Sequence, residues 1–235
     1  EGSRKKVQTG LEVLAAGEFS PLAGLRVGLI TNHSGVDSGG RRAIDLFHRA
    51  PGLRLTKIFS PEHGLSGRNE GKISHTRDPL TGLPVYSLYG NVLKPSEKML
   101  AGLDALAFDI QDMGVRFYTY ITTLGYAMEA AAKKGIAFYV LDRPNPIDRP
   151  VEGLSLRTGW KSFVGSGEMP MRHGLTLGEM GQWFVRRFSL DLDYRVVEMQ
   201  GWQPDRAPGF GWPLGERTWV NPSPNAPNLW MARCY

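Results

Sequence analysis

At 235 residues the chain is long enough to bury a sizeable core, and it fits one large domain or a domain with a smaller appendage. A hydrophobic fraction of 41% with 22% charged residues is ordinary for a soluble globular protein. The net charge of +5 is spread along the sequence and not blocked together, which argues against a dedicated nucleic-acid surface and fits a site for acidic small molecules or glycans.

In chain order, Leu11 to Leu14 with Ala15 and Ala16 suggest a short helix. Leu25-Arg26-Val27-Gly28-Leu29-Ile30 reads as a buried strand ending in Thr31-Asn32-His33-Ser34-Gly35. Ala43, Ile44, Leu46 and Phe47 have helical spacing, which predicts a crossover helix over 41–49. Residues 53–59 form the next predicted strand, stopped by Pro61, which has no N–H to give a ladder. The stretch 64–82 is polar, rich in glycine and without periodicity, and so long a loop in a compact domain points to function.

A strand is predicted over 83–89, then a helix capped by Ser96 and running through Met99 to Leu103. Ala105 to Asp112 is apolar enough for a central strand, and a long helix follows over 119–134. The strand expected over 136–141 ends in Asp142-Arg143-Pro144-Asn145-Pro146. This alternation predicts an α/β fold, a Rossmann-like doubly wound parallel sheet over 10–150 with the start of a smaller second lobe. Residues 151–200 are expected to make an excursion, then a helix with a Thr176/Glu179 capping box and a last strand over 193–199 that complete the domain. From Gly201 onward the sequence is rich in Pro, Trp and Asn and reads as the loop-rich start of a C-terminal lobe over 201–235.

In a doubly wound sheet the carboxyl ends of the strands converge on one rim, where ligands bind. Here those ends carry Asn32-His33-Ser34, Glu62-His63-Gly64, Leu88-Tyr89-Gly90, Gln111-Asp112 and Asp142-Arg143-Pro144-Asn145. Small polar residues are ordinary at strand ends, but Glu-His and Asp-Arg pairs are less so. Glu62 taken alone fits a solvated strand-to-loop junction as well as it fits a site. The first strand is followed by no Gly-x-Gly-x-x-Gly and no Gly-Lys-Thr/Ser, so a dinucleotide site and a P-loop are not expected. His33, His63, His75, His173, Asp109 and Asp112 could ligate a metal, yet none shows a recognisable short spacing.

Paired carboxylates are the third option: glycoside hydrolysis needs an acid for the leaving oxygen and a second carboxylate as base or nucleophile. Glu62, beside His63, is the acid/base candidate, and Asp109, Asp112, Asp142 and Glu152 are the candidates for its partner. Asp109 alternates with Phe108 and Ile110, so a buried hydrogen-bonding role is the competing account. Arg116-Phe117-Tyr118-Thr119-Tyr120 sets a guanidinium among aromatic rings, a combination suited to sugar faces and to a carboxylate. The lone Cys234 excludes an internal disulfide and a multi-thiolate zinc site, and no apolar run approaches the ~18 residues of a membrane helix.

Several of these runs together resemble the exo-β-N-acetylmuramidase family of the NamZ type. They are Val27-Gly28-Leu29-Ile30-Thr31-Asn32, Phe59-Ser60-Pro61-Glu62-His63-Gly64, Thr81-Gly82-Leu83-Pro84-Val85, Phe108-Asp109-Ile110-Gln111-Asp112, Gly114 to Tyr120, Leu141 to Pro146 and Arg172 to Glu179. The resemblance implies a Rossmann-like domain joined to a smaller C-terminal domain, with the active site in the cleft between them. It also implies an exo-acting glycosidase that releases N-acetylmuramic acid from peptidoglycan fragments, with Glu62 catalytic and no cofactor. A glycan or muropeptide would be the partner, with neither nucleic acid nor membrane. Arg116, Arg143 and His173 would hold the lactyl carboxylate, while His63 and Asn32 orient Glu62 or the acetamido group. Tyr118, Tyr120, Asp142, Asn145 and Glu152 complete the substrate-binding candidates, with Asp109 and Asp112 kept beside Glu62 and His63 as catalytic ones. A non-catalytic glycan-binding module and a metal-dependent hydrolase are the alternatives. An exported location, periplasmic or extracellular, is expected over a cytoplasmic one, and the family pattern is expected to continue past Tyr235.

Overall fold

A computed structural model describes residues 7–69 and 74–204. The strands are β1 (Arg26–Thr31), β2 (Arg54–Ser60), β3 (Thr76–Arg77), β4 (Pro84–Ser87), β5 (Ala105–Asp109), β6 (Ala137–Leu141) and β7 (Tyr194–Val197). They form a seven-stranded sheet in the order β3-β4-β2-β1-β5-β6-β7. Every pairing is parallel except that of β3 with β4. The helices are α1 (Gly10–Ala16), α2 (Ala43–Arg49), α3 (Glu97–Leu100), α4 (Tyr120–Lys134) and α5 (Leu177–Arg187).

The two-faced sheet follows from the alternation of apolar side chains along each strand. Ile30, Phe59, Leu106, Phe108, Phe138 and Val140 point to one face, where they pack with Leu124, Met128, Met180 and Phe184 of α4 and α5. Their neighbours Val27, Leu29, Ile58, Ala105, Ala107, Tyr139 and Leu141 point to the other, against Leu11, Leu14, Ile44 and Phe47 of α1 and α2. Helix α4 lies close on α5 because residue 125 is glycine. A Cβ there would stand 3.3 Å from the Phe184 ring.

The predicted strands and crossover helices all form, and among the described residues the additions are β3 and a 3-10 turn at Ser20–Leu22. Strand β3 arises within the stretch read as structureless, where Asp78 accepts from the backbone and hydroxyl of Thr81 and from Arg42. That turn, pinned by the buried Asp78, folds Thr76–Arg77 back along Pro84 and Val85. Two residues are too few to show a period of two. Helix α3 ends at Leu100, short of the predicted Leu103. The excursion after Pro150 is tied back by Arg116, whose guanidinium donates to the carbonyls of Leu154 and Met169. The backbone bridge of Glu152 to Arg172 does the same. The chain then returns to the sheet through α5 and β7. Helix α5 carries the expected Thr176/Glu179 capping box. Beyond residue 204 the expected C-terminal lobe lies outside the described residues, as does the loop segment 70–73.

Candidate active site

The chain runs from β1 outward through β2 to β4, then returns to place β5 on the other side of β1. The crevice between the carboxyl ends of β1 and β5 is therefore the switch point at which open α/β sheets bind ligands. Asn32 follows β1 there, and Gln111 and Asp112 follow β5. A small polar network sets the Asn32 amide. Its Oδ1 accepts from the backbone and hydroxyl of Ser34, while Ser34 Oγ in turn accepts from the Gln111 N–H. Oδ1 is thereby fixed as the acceptor, and Nδ2 donates to the Tyr120 hydroxyl at 3.0 Å.

Glu62 stands two residues beyond β2, half-buried. Thr119 donates its hydroxyl to Glu62 Oε2 at 2.5 Å. Thr119 is the N-cap of α4, yet its side chain caps nothing in the helix. The hydroxyl that ordinarily satisfies a helix N–H is turned onto the carboxylate instead. The Tyr89 hydroxyl, just past β4, lies beside Glu62, and that carboxylate raises its phenol pKa. The next residue, His63, has a left-handed backbone with φ of 66°, and Gly64 follows at 69°. Left-handed geometry is uncommon outside glycine and concentrates at functional turns. His63 is exposed, its Nδ1 on the Asn69 carbonyl at 3.1 Å, so it shapes the turn behind Glu62.

Tyr120 joins the two sides of the crevice. It is buried, with its hydroxyl linked to Asn32 and Tyr118, and the charges of Glu62 and Asp112 both act on it. Burial first, then the two carboxylates, push its pKa well above the usual phenol range, so it stays a neutral proton carrier at its place. Tyr118 lies edge-on to its ring at 5.0 Å. Asp112 accepts from the Gly114 N–H through Oδ2, and its Oδ1 is buried with no hydrogen-bond partner among the described residues. His173 Nε2 faces Asp112 Oδ2 at 3.7 Å. Because His173 Nδ1 accepts the Leu175 N–H, the neutral ring carries its proton on Nε2, toward that carboxylate.

The other predicted residues serve the scaffold. Asp109 and Arg143 form a bidentate ion pair, with Nε–Oδ1 at 2.7 Å and Nη2–Oδ2 at 3.0 Å. Asp109 is 0% and Arg143 1% exposed. Asp109 shares the strand parity of Ala107 and so points to the α1/α2 face, where burial raises its pKa. Asp142 accepts from Gly178 N, Thr176 Oγ1 and Arg143 N, which makes it a second cap for α5. Its burial lifts its pKa to about 6, with those bonds opposing. Asn145 braces the following loop through Leu175 O and Ile147 N. Glu152 pairs with Arg172 on the exposed excursion at 2.7 Å. Arg116 is spent on backbone carbonyls, as described above. The rim thus gathers Glu62, Asn32, Tyr118, Tyr120, Asp112 and His173, and leaves Asp109, Asp142, Arg143, Asn145, Glu152 and Arg116 in structural contacts.

The family model for the N-terminal part of exo-β-N-acetylmuramidase NamZ matches residues 27–230. The chain belongs to the NamZ family. It is 44% identical over 229 residues to the peptidoglycan β-N-acetylmuramidase NamZ of Bacillus subtilis strain 168, covering 96% of this chain and 54% of that protein. The chain therefore spans about half the length of that relative. Two crystal structures of DUF1343 family proteins from Bacteroides fragilis NCTC 9343 share the fold. One has a TM-score of 0.87 and 41% identity, covering 98% of this chain and 58% of that one. The other has a TM-score of 0.81 and 33% identity, covering 97% and 59%.

The contacts of Thr119 and Tyr89 with Glu62 are what the sequence alone does not reveal. Tyr89 carried a signal, since it stands at a strand end like the residues that were chosen. Thr119 carried none, because a threonine before a helix reads as a cap. Among the described residues no three His, Cys, Asp or Glu side chains gather as a metal site, and no helix is long and apolar enough to cross a membrane. A groove of about 1160 Å³ lies on the α1/α2 face, lined by Glu12, Phe19, Asp37, Arg41 and Leu46 among others and by none of the rim residues.

Proposed function

We propose that this chain is the acid/base-bearing half of an exo-acting β-N-acetylmuramidase, which releases N-acetylmuramic acid from the non-reducing end of peptidoglycan fragments. The observation that carries the reading is Glu62, a half-buried carboxylate at the sheet rim held by the Thr119 hydroxyl, with the Tyr89 hydroxyl beside it. Protonated, it gives its proton to the glycosidic oxygen as the bond to the leaving sugar breaks. Ionised, it takes a proton from the attacking water. Held by Thr119, it keeps one orientation through both steps.

Asp112 is its partner in this reading. Of the four candidate carboxylates it alone shares the Tyr120 hydroxyl environment with Glu62 and keeps an oxygen free of hydrogen bonds among the described residues. His173 Nε2 faces its Oδ2 at 3.7 Å. The B. subtilis relative is named for the same activity, which supports the assignment of substrate class. Proton transfer to and from water and sugar asks for no cofactor. The compartment we propose is outside the cytoplasmic membrane, where peptidoglycan lies.

Turnover of a chromogenic β-N-acetylmuramide tests the reading. Glu62→Gln keeps the shape and loses the proton, so kcat is expected to fall about 10²- to 10⁴-fold with little change in fold. A near-normal kcat in that variant removes Glu62 as the acid/base. Glycan binding without turnover by the unaltered protein makes the chain part of a binding module.

A further inference from the structure

We propose that Tyr89 and Phe163 form the surface that binds the leaving-group sugar, the 2-acetamido sugar next to the released residue, and this rests on the glycosidase reading given above. An acid that protonates a glycosidic oxygen must lie within hydrogen-bond reach of it. The sugar on the far side of that oxygen is then within one ring's breadth of the acid. Whatever flanks Glu62 along the rim therefore faces that sugar.

Tyr89 flanks it. Its hydroxyl is the end of the side chain that lies beside Glu62, so its ring extends away from the carboxylate. The next ring outward is Phe163, with centroids 5.8 Å apart and planes tilted by 41°. At that tilt the rings do not lie flat on one another. Tyr89 and Phe163 are each only half-buried, so apolar surface remains for a third flat group. Tyr126 of α4 backs Phe163 at 6.4 Å and is itself covered by Lys94, 5.1 Å from its centroid.

Phe163 belongs to the excursion, where a solvent-exposed segment has no need of an aromatic side chain reaching back to the rim. The Ser162–Gly165 backbone bridge makes the tight turn that carries it there. Trp160, 72% exposed, precedes it on the same segment. The C–H face of a pyranose is the flat, apolar group that suits such a strip. The contact costs a neutral sugar little desolvation.

The test compares two substrates on the same protein. One is the disaccharide of N-acetylmuramic acid β-linked to N-acetylglucosamine. The other is β-N-acetylmuramyl fluoride, whose leaving group is a single atom and fills no sugar site. Phe163→Ala is expected to lower the ratio of the two kcat/KM values, disaccharide over fluoride, by at least about tenfold, the factor that ~1.4 kcal/mol of lost contact produces. Phe163→Trp is expected to restore at least part of it. A ratio that stays within about twofold, or two substrates that lose activity by the same factor, makes Phe163 a mere anchor of the excursion and overturns the inference. If the unaltered protein cleaves neither substrate, the glycosidase reading fails and this one falls with it. If it cleaves the fluoride and the disaccharide with no effect at Phe163, only the sugar surface is lost.

Discussion

Replacing Arg143 with methionine is the sharpest probe of what lies beneath the rim. Arg143 is the largest fully buried side chain among the described residues, and it makes two bonds to Asp109 and one to the Val36 carbonyl. Methionine fills much the same volume but leaves the Asp109 carboxylate buried without a partner. Breaking such a pair from one side costs about 3–5 kcal/mol. A sum over three bonds to a charged group, at roughly 1.5–3 kcal/mol each, reaches that range or exceeds it. With a urea m-value of about 2.5 kcal/mol/M, a loss of ~4 kcal/mol lowers the unfolding midpoint by roughly 1.6 M.

The double variant Asp109→Leu with Arg143→Met removes both charges. It is expected to recover at least half of that loss, since an apolar pair of similar volume is often as stable as the buried ions. Urea unfolding followed by far-ultraviolet circular dichroism measures all four corners of the cycle. The reasoning fails if Arg143→Met stays within about 1 kcal/mol of the unaltered protein, or if the two losses simply add. It also fails on the functional side if the double variant unfolds like the original yet turns over no substrate. In that event one of the pair acts on the sugar after all.

Two further outcomes follow from the same geometry. Asp112→Asn is expected to cut kcat at least about 100-fold while the melting temperature moves little, and a kcat within a few-fold of normal would leave Glu62 without the partner assigned to it. Asp142 has a folded pKa of about 6 against an ordinary 3.8, so the folded state binds the proton more tightly. Its contribution to stability is whole below 3.8 and is lost as pH rises through 6, on the order of 3 kcal/mol. Asp142→Asn keeps the cap without the titration, so its stability relative to the unaltered protein should climb between pH 4 and pH 7. A difference that stays flat across that range, measured by urea unfolding at each pH, contradicts the assignment.

How far the sequence could be read depended on whether a property was local. Alternation along β5 already turned Asp109 away from Phe108 and Ile110, and the structure places it on the α1/α2 face as that parity requires. Glu62 was legible because a carboxylate, an imidazole and a glycine behind a strand mark a rim. Arg116 and Arg143 looked like grips for a substrate carboxylate because a sequence displays a charge and hides its partner. One holds Leu154 and Met169 carbonyls, the other an aspartate 34 residues away. Asp142 capping α5 across a similar interval was equally hidden. Local chemistry names the donors and acceptors, but only the fold says which of them are already taken.

The residues at the rim have a bearing on how the protein must fold. Asn32, Glu62, Tyr89 and the pair Asp112 and Thr119 come from four separate connections that follow strands, and the Thr119–Glu62 bond alone closes 57 residues of chain. No neighbouring pair of elements can assemble a working fraction of the site. Parallel pairing of β1 with both β2 and β5 must come first, and such distant closures are slow. Activity should therefore return on refolding in a single late step, together with protection of the β1 and β5 amides from hydrogen exchange.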